Sequence, residues 1–356
     1  MKIAIDASSA AVPQRTGVAK YIHRLIENLE GVDGSNEYMV YYRLSRRGMR
    51  HCFYEPKKNS VKVGLFQEPF SRCRGVAVFH GPDARLPRVR GPKLVATIHD
   101  VFSLVSEEFA NERFRRKKIA HYRRIAERAD RIICVSESTR LDFLRFFPEA
   151  EPKTRVIYEG VDWQFCPRLE DEVERVKSKY GIESDYIFYV GTLCLRKNVL
   201  RMFEAFLEAR KKLGIDLQFI AAGKFTYGKD EILKWIERNN CDGQIRLPGY
   251  IPDVDLPALY TGARLFLFTT LYEGFGLPVL EALACGTPVI TSNVSAMNEV
   301  GAEATYKVDP RSTEAISQEI IEVLQTPGKV ALTSVPRWRD MARATLALYE
   351  DLGNST

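Results

Sequence analysis

Strand-like apolar runs alternate with longer amphipathic runs along the whole chain, and the alternation starts afresh near residue 186. Parallel strands need a long crossover between them, usually a helix, so this alternation predicts an α/β fold with parallel sheets. In the first round the pattern predicts strands at 2–6, 38–42, 76–79, 94–98 and 131–135. Helices are predicted at 18–29, where Ile22, Leu25, Ile26 and Leu29 share a face, and at 111–129 and 138–146. In the second round strands are predicted at 186–190, 217–222, 245–247, 265–268 and 288–292. The accompanying helices are 198–213, 230–238, 256–260 and 312–324, with a last helix at 338–352. A length of 356 residues suits two domains of ~100–200 residues each. The expected division is 1–167, 168–336 and a terminal segment 337–356, with the boundary zone between about 160 and 185. Ligands of open α/β sheets lie at the carboxyl ends of the strands, which predicts a cleft between the two lobes.

Composition narrows the function classes. Hydrophobic content of 45% and charged content of 28% are those of a globular chain. No apolar run approaches the ~20 residues that span a bilayer, and no apolar stretch follows the first strand as a signal peptide would require. The expected location is cytoplasmic. The seven cysteines are scattered without a C-x-x-C pair, which leaves zinc and redox motifs unsupported. Charge is divided unevenly: residues 1–168 hold 31 Lys/Arg against 20 Asp/Glu, and residues 169–356 hold 21 against 26. The basic excess lies in 43–50, at Lys57-Lys58 and in 113–131, and predicts an anionic partner for the first half. The run 113–131 has no RNA-binding motif and no interleaved aromatic platform, so nucleic acid is not expected. A membrane surface at the inner face or an anionic acceptor is the functional alternative to a solvated helix face. Ile119, Tyr122 and Ile125 form only a thin apolar stripe.

The most informative segment for chemistry is 272–288, YEGFGLPVLEALACGTP, with Glu273 and Glu281 eight positions apart. Gly274 and Gly276 permit a tight loop with close backbone approach to a ligand. Pro278 suits a first helical turn, and Gly286 stops the helix. Glu273 is then on the loop and Glu281 near the helix start, with free backbone N–H groups between them. An anion at the helix end with a carboxylate on either side points to a nucleotide-sugar, one carboxylate accepting from sugar hydroxyls and the other from ribose. A buried amphipathic helix explains Leu277, Val279, Leu280 and Leu283, but not a Glu among them.

This segment resembles the E-x7-E signature of the retaining family 4 glycosyltransferases (glycosyl transferases group 1), mannosyltransferases among them. The resemblance implies the GT-B architecture, two Rossmann-like domains facing across a cleft. Residues 1–167 would bind acceptor, 168–336 the donor, and 337–356 would cross back onto the first domain. Further segments fit. In Tyr189 to Asn198, Gly191 permits a turn after a strand, and Arg196 and Lys197 bring two cations to a helix start. This is similar to the family's G-x(5)-K motif for the donor diphosphate, although Thr192 stands where the family often has Arg. Segment 245–252 resembles one that lines the nucleobase around Gly249, Tyr250 and Ile251. His99-Asp100 ends a predicted strand, and family members carry such a pair facing donor sugar and acceptor. Gly17, in Thr16-Gly17-Val18, would let a helix N-terminus approach the diphosphate.

Two segments invite other readings. Gly223 to Lys229 fits G-x4-G-K, but Asp230 replaces the hydroxyl residue that a P-loop needs for magnesium. Asp253-Val-Asp255 mimics a D-x-D metal motif, but it precedes a predicted helix, so Asp255 is expected as an N-cap.

The resemblance implies a metal-independent mechanism with no cofactor beyond the nucleotide-sugar co-substrate. Lys197, Arg196, Gly191 and the helix start at Gly276-Leu277 would hold the leaving diphosphate. Glu273, with Gly274, Phe275 and Gly276, would hold the donor sugar, and Glu281 the nucleoside. The acceptor, a glycan or lipid-linked molecule, would approach by His99 and Asp100. GDP-mannose is the first expected donor and UDP-glucose the nearest alternative. A non-catalytic sugar-nucleotide binder, an NAD-dependent two-lobe oxidoreductase, and a phosphorylase or epimerase are the competing classes. The oxidoreductase lacks G-x-G-x-x-G after its first strand.

Overall fold

The computed structural model describes residues 1–15, 17–68, 73–108, 110–241, 243–301, 304–326 and 335–354. The first half runs β1 (Lys2–Asp6), α1 (Val18–Val32), β2 (Glu37–Arg43), a 3-10 segment (Leu44–Cys52), β3 (Val61–Phe66), β4 (Val78–Gly81) and β5 (Lys93–Ile98). It continues through α2 (Phe102–Val105), α3 (Glu112–Arg128), β6 (Arg131–Cys134), α4 (Glu137–Phe146) and β7 (Thr154–Val156). The second half runs α5 (Glu170–Lys179), β8 (Asp185–Val190), α6 (Val199–Leu213), β9 (Leu217–Ala222), α7 (Lys229–Arg238) and β10 (Ile245–Gly249). Then come α8 (Leu256–Gly262), β11 (Leu265–Phe268), α9 (Leu277–Ala284), β12 (Val289–Ser292), β13 (Tyr306–Val308), α10 (Thr313–Gln325) and α11 (Trp338–Asn354).

The chain divides into two compact units, Met1–Gly160 with Pro336–Thr356, and Val161–Val335. The first crossing falls after Gly160, ahead of the expected 167. Residues 161–168 belong to the second unit because Phe165 packs edge-on against Tyr260, and the Arg168 amide donates to Thr261 Oγ1. Each unit is built on a parallel sheet. The first has order β3-β2-β1-β4-β5-β6-β7, the second β10-β9-β8-β11-β12-β13. In both, the order reverses beside the first strand, between β1 and β4 and between β8 and β11. A crevice opens at such a switch because successive crossovers leave it in opposite directions.

Local sequence explains the elements. In α1, Tyr21, Ile22, Leu25, Ile26 and Leu29 bury one face at helical spacing. Among the described residues, Asn111 caps α3 by accepting from the Phe114 amide, Ser136 caps α4 by accepting from Thr139, and Ser312 caps α10 by accepting from Ala315. Tyr186, Ile187, Phe188 and Tyr189 of β8 are fully buried, as a strand covered on both faces requires.

α11 completes the first unit. Trp338, Met341, Thr345, Leu348, Tyr349 and Leu352 are buried there, and the Tyr349 hydroxyl is 2.5 Å from His80 Nδ1 on β4. Gly160 makes this docking tight: a Cβ on it would lie 2.1 Å from the Trp338 backbone nitrogen.

Candidate active site at the carboxyl edge of the second sheet

Four separate segments of the second unit meet at the carboxyl ends of β10, β9, β8 and β11. Three glycines define the first part of this edge. The Gly191 amide, after β8, donates to the Ala222 carbonyl at 3.0 Å, and the Gly223 amide, after β9, donates to Gly249 at 2.7 Å. Gly223 has φ +139°, and a Cβ there would lie 1.8 Å from the Gly191 carbonyl oxygen. The backbones approach each other more closely than any side chain permits. Gly249 ends β10 with φ +77°, Tyr250 follows half-buried and Ile251 is buried. The segment expected to line the nucleobase thus reaches the same edge as Gly191.

The cations come next. Leu195–Lys197 is one 3-10 turn, and Asn198 then takes a left-handed conformation (φ 62°) before α6 begins. Asn198 holds that turn from within, donating to the carbonyls of Thr269 at 2.8 Å and Pro310 at 2.7 Å. Arg196 and Lys197 both turn to the 271–273 segment. Arg196 donates to the Tyr272 carbonyl at 2.8 Å, and Lys197 Nζ ion-pairs with Glu273 Oε1. The ammonium is also 5.5 Å from the centre of the Phe268 ring. The Glu273 amide donates to Ser295 Oγ at 3.1 Å, which fixes the loop from its other side.

The loop then enters α9. Gly276 is its N-cap, with φ 104° and a virtual Cβ 2.1 Å from Met297 Cε. Pro278 occupies the first turn and no acidic residue stands there. The positive end of the helix therefore has no carboxylate of its own in that turn. Glu281, one turn further in, is 5% exposed and accepts from the Tyr260 hydroxyl at 3.2 Å. Burial pushes the Tyr260 hydroxyl well above its ordinary pKa, and the Glu281 charge adds to the effect. The donor is therefore Tyr260, and the acceptor is the carboxylate.

Gly191, Arg196, Lys197, Gly249, Tyr250, Ile251, Glu273, Gly274, Phe275, Gly276, Leu277 and Glu281 all belong to this unit. His99, Asp100 and Gly17 belong to the first. His99, just past β5, has both ring nitrogens engaged, Nδ1 with Glu159 Oε1 at 3.2 Å and Nε2 with the Pro82 carbonyl at 2.8 Å. Burial works against its charge, but these two acceptors and Asp83 outweigh it and raise its pKa. A bond from His99 to a substrate hydroxyl would have to replace one of them. Gly17 caps α1 with φ 50° and open space where its Cβ would be. Thr16 lies outside the described residues.

Two expectations are corrected or resolved. Asp255 does precede α8, but it makes no capping bond. Its carboxylate accepts from Lys179 Nζ at 2.6 Å and Tyr180 Oη at 2.7 Å, tying α8 to α5. The G-x4-G-K segment pairs with the loop after β8: the Leu193 amide donates to the Lys224 carbonyl and the Thr226 amide donates to the Leu193 carbonyl. Lys229 there is exposed. Sequence reasoning missed Asn198, Tyr260 and Ser295. Only Asn198 left a trace, as an Asn between two cations and an apolar helix, where αL geometry favours Asn.

Residues 171–339 match the family model described as Glycosyl transferases group 1, and residues 71–165 match Glycosyltransferase Family 4. The chain is 32% identical over 269 residues to O-antigen chain mannosyltransferase B of Escherichia coli, covering 75% of this chain and 68% of that protein. It is 26% identical over 281 residues to the MMP alpha-(1->4)-mannosyltransferase of Mycolicibacterium hassiacum, covering 73% and 66%. Sucrose-phosphate synthase from Thermosynechococcus elongatus matches over 100% of both chains with a TM-score of 0.78 at 17% identity, a likeness of fold.

Proposed function

The chain belongs to the family 4 glycosyltransferases and has their two-domain GT-B fold, and from that premise we propose that it moves a hexose from a nucleotide-sugar to a glycan or lipid-linked acceptor with retention at the anomeric carbon. The observation that carries this reading is the Lys197–Glu273 pair beside the uncompensated start of α9. It puts a cation, backbone amides and a carboxylate at one strand edge, the groups that a diphosphate and its sugar need.

The chemistry follows from charge. The bond between the anomeric carbon and the diphosphate oxygen breaks, and its electron pair stays with the diphosphate. The acceptor oxygen bonds to the same carbon from the leaving-group face, and its proton passes to the departing phosphate oxygen. Lys197, Arg196 and the first amides of α9 stabilise the charge that builds on the diphosphate, so the reading needs no metal ion. Preorganised donors of this kind are worth ~3–4 kcal/mol each. Glu273 holds donor hydroxyls, and Glu281 accepts from the ribose.

GDP-mannose is the proposed donor, because two of the relatives bear mannosyltransferase names, and UDP-glucose is its competitor. The O-antigen relative supports a role in polysaccharide biosynthesis. Among the described residues no helix is long and apolar enough to cross a membrane. The proposed location is the cytoplasmic face of the membrane, reached through the basic first unit.

The test is a metal-free thermal-shift screen with GDP, UDP, GDP-mannose, UDP-glucose, NAD and ATP, followed by NMR of the product anomer. Stabilisation by one nucleoside diphosphate and its sugar, with an α-linked product from an α-linked donor, is the expected result. A response to NAD or ATP alone would overturn the reading, and an inverted product would overturn retention.

A further inference from the structure

We propose that the first unit carries a separate phosphate-binding basket that takes the phosphate or diphosphate group of a phosphorylated acceptor. A cavity of about 900 Å³ lies between the end of β2, the loop that follows β4, and the second half of α3. Six guanidinium groups line it, from Arg43, Arg85, Arg88, Arg90, Arg124 and Arg128. Among the described residues that line it, the one carboxylate is Glu68.

The existing partners do not use up these cations. Arg43 reaches Asp6 at 3.2 Å, Arg85 reaches Asp83 at 3.6 Å, and Arg128 donates to the Pro87 carbonyl at 2.5 Å. The side chains of Arg88, Arg90 and Arg124 make no hydrogen bond or ion pair among the described residues. Oε1 of Glu68 is buried and has no hydrogen-bond partner among them. Holding six like charges around one concavity is unfavourable unless an anion joins them, and a concave wall focuses their field. Guanidinium matches phosphate oxygens with two parallel N–H groups, which a point-like ammonium does not do.

The remaining surface says what the phosphate is attached to. Leu86, Val89 and Ile125 form an apolar side of the cavity. The volume is within the ~300–1,000 Å³ of small-molecule sites and exceeds what a bare phosphate fills. Glu68 offers an acceptor for a hydroxyl. A sugar bearing a phosphate or diphosphate supplies all three features. Assigning that molecule as the acceptor rests on the glycosyltransferase reading, whereas the binding of phosphate does not.

The experiment is calorimetric titration of the full chain with inorganic pyrophosphate at low salt. Four proteins are compared: wild type, Arg88→Gln/Arg124→Gln, the charge-matched Arg113→Gln/Lys117→Gln on the exposed part of α3, and Lys197→Ala in the other unit. Loss of two charged hydrogen-bond donors should weaken one pyrophosphate site about tenfold or more in the first variant and leave that site intact in the other two; a second site, lost in Lys197→Ala, is the one proposed for the donor diphosphate. Equal weakening in the charge-matched variant would mean diffuse attraction, and loss in Lys197→Ala alone would mean that pyrophosphate occupies the donor site. Either result overturns the basket. Competition by glucose 1-phosphate is expected; competition by phosphatidylglycerol vesicles instead would assign the arginines to a bilayer and overturn the proposal. GDP and UDP titrations of the same proteins separate the two readings. Nucleotide binding with no pyrophosphate bound at the arginines would sink the basket and leave glycosyl transfer standing. Pyrophosphate at the arginines without nucleotide binding or turnover would sink the acceptor assignment.

Discussion

Lys197 Nζ is ion-paired with Glu273 Oε1 at the carboxyl edge of the second sheet, with the two side chains only 13% and 11% exposed. The pair joins the turn after β8 to the loop after β11, so the residues proposed for diphosphate and sugar hold each other in place. Removing one partner of a largely buried pair leaves an uncompensated charge, at a cost of ~3–5 kcal/mol. Lys197→Ala should therefore lower the melting temperature as well as turnover. Lys197→Met with Glu273→Gln removes both charges and should recover most of the stability. If Lys197 is the cation of the donor diphosphate, turnover in that double variant should still be down about 10²–10³-fold. Recovery of activity along with stability would reduce the pair to a scaffold.

Glu281 and Tyr260 make a second, more deeply buried pair, the hydroxyl 3.2 Å from Oε2. If Glu281 accepts from the ribose, Glu281→Gln weakens nucleoside diphosphate binding by ~1.5–3 kcal/mol, the value of a charged hydrogen bond. Tyr260→Phe removes only the internal donor and should change that affinity far less. Titration of both variants with GDP and UDP decides it. Equal losses would make the pair structural.

The elements that the sequence made legible are those with two covered faces or one long apolar stripe. β9 and β11 are observed at their expected residues, and α1, α6 and α10 lie within three residues of theirs. The strands not anticipated, β3, β7 and β13, are all outermost in their sheets. An edge strand pairs on one side only, and β7 and β13 have three residues each, too few for periodicity to show. In the site, residue types along one segment were legible, as in Glu273, Gly276 and Glu281. Contacts between segments were not. No local pattern pairs Lys197 with Glu273 or ties His99 to Glu159, because the crossovers of the sheet bring them together.

The glycines at the sheet edge differ in what they can tolerate. Gly276→Ala places a methyl 2.1 Å from Met297 Cε, a side-chain end that can move, but keeps the positive φ. A cost of ~1–3 kcal/mol is expected from the backbone alone. Gly223→Ala drives the methyl against the Gly191 carbonyl, which is backbone on a paired strand end. It should destabilise the second unit more than Gly276→Ala and displace the turn that carries Arg196 and Lys197. Urea unfolding gives the stabilities, and GDP titration gives the displacement. A milder effect for Gly223→Ala would contradict this ordering.

Two histidines of the first unit titrate in opposite senses. Burial, helped by the nearby His99 charge, pushes His80 down to about 3, so it is neutral in the folded protein. The unfolded chain takes up that proton below a pKa of ~6.5, and stability from His80 is lost as pH falls from there. His99 is raised, against its burial, by Glu159, the Pro82 carbonyl and Asp83. Its contribution is complete below ~6.5 and is lost as pH rises through the folded value. Together they predict a stability maximum for the first unit near pH ~6.5. Trp163→Phe with Trp235→Phe leaves Trp338 as the one tryptophan of the three in the chain, a fluorescence reporter of this unit during urea unfolding. In that background Glu159→Gln should flatten the decline above pH ~6.5 and leave the acid limb unchanged. A decline that persists on the alkaline side would show that the His99–Glu159 pair does not set it.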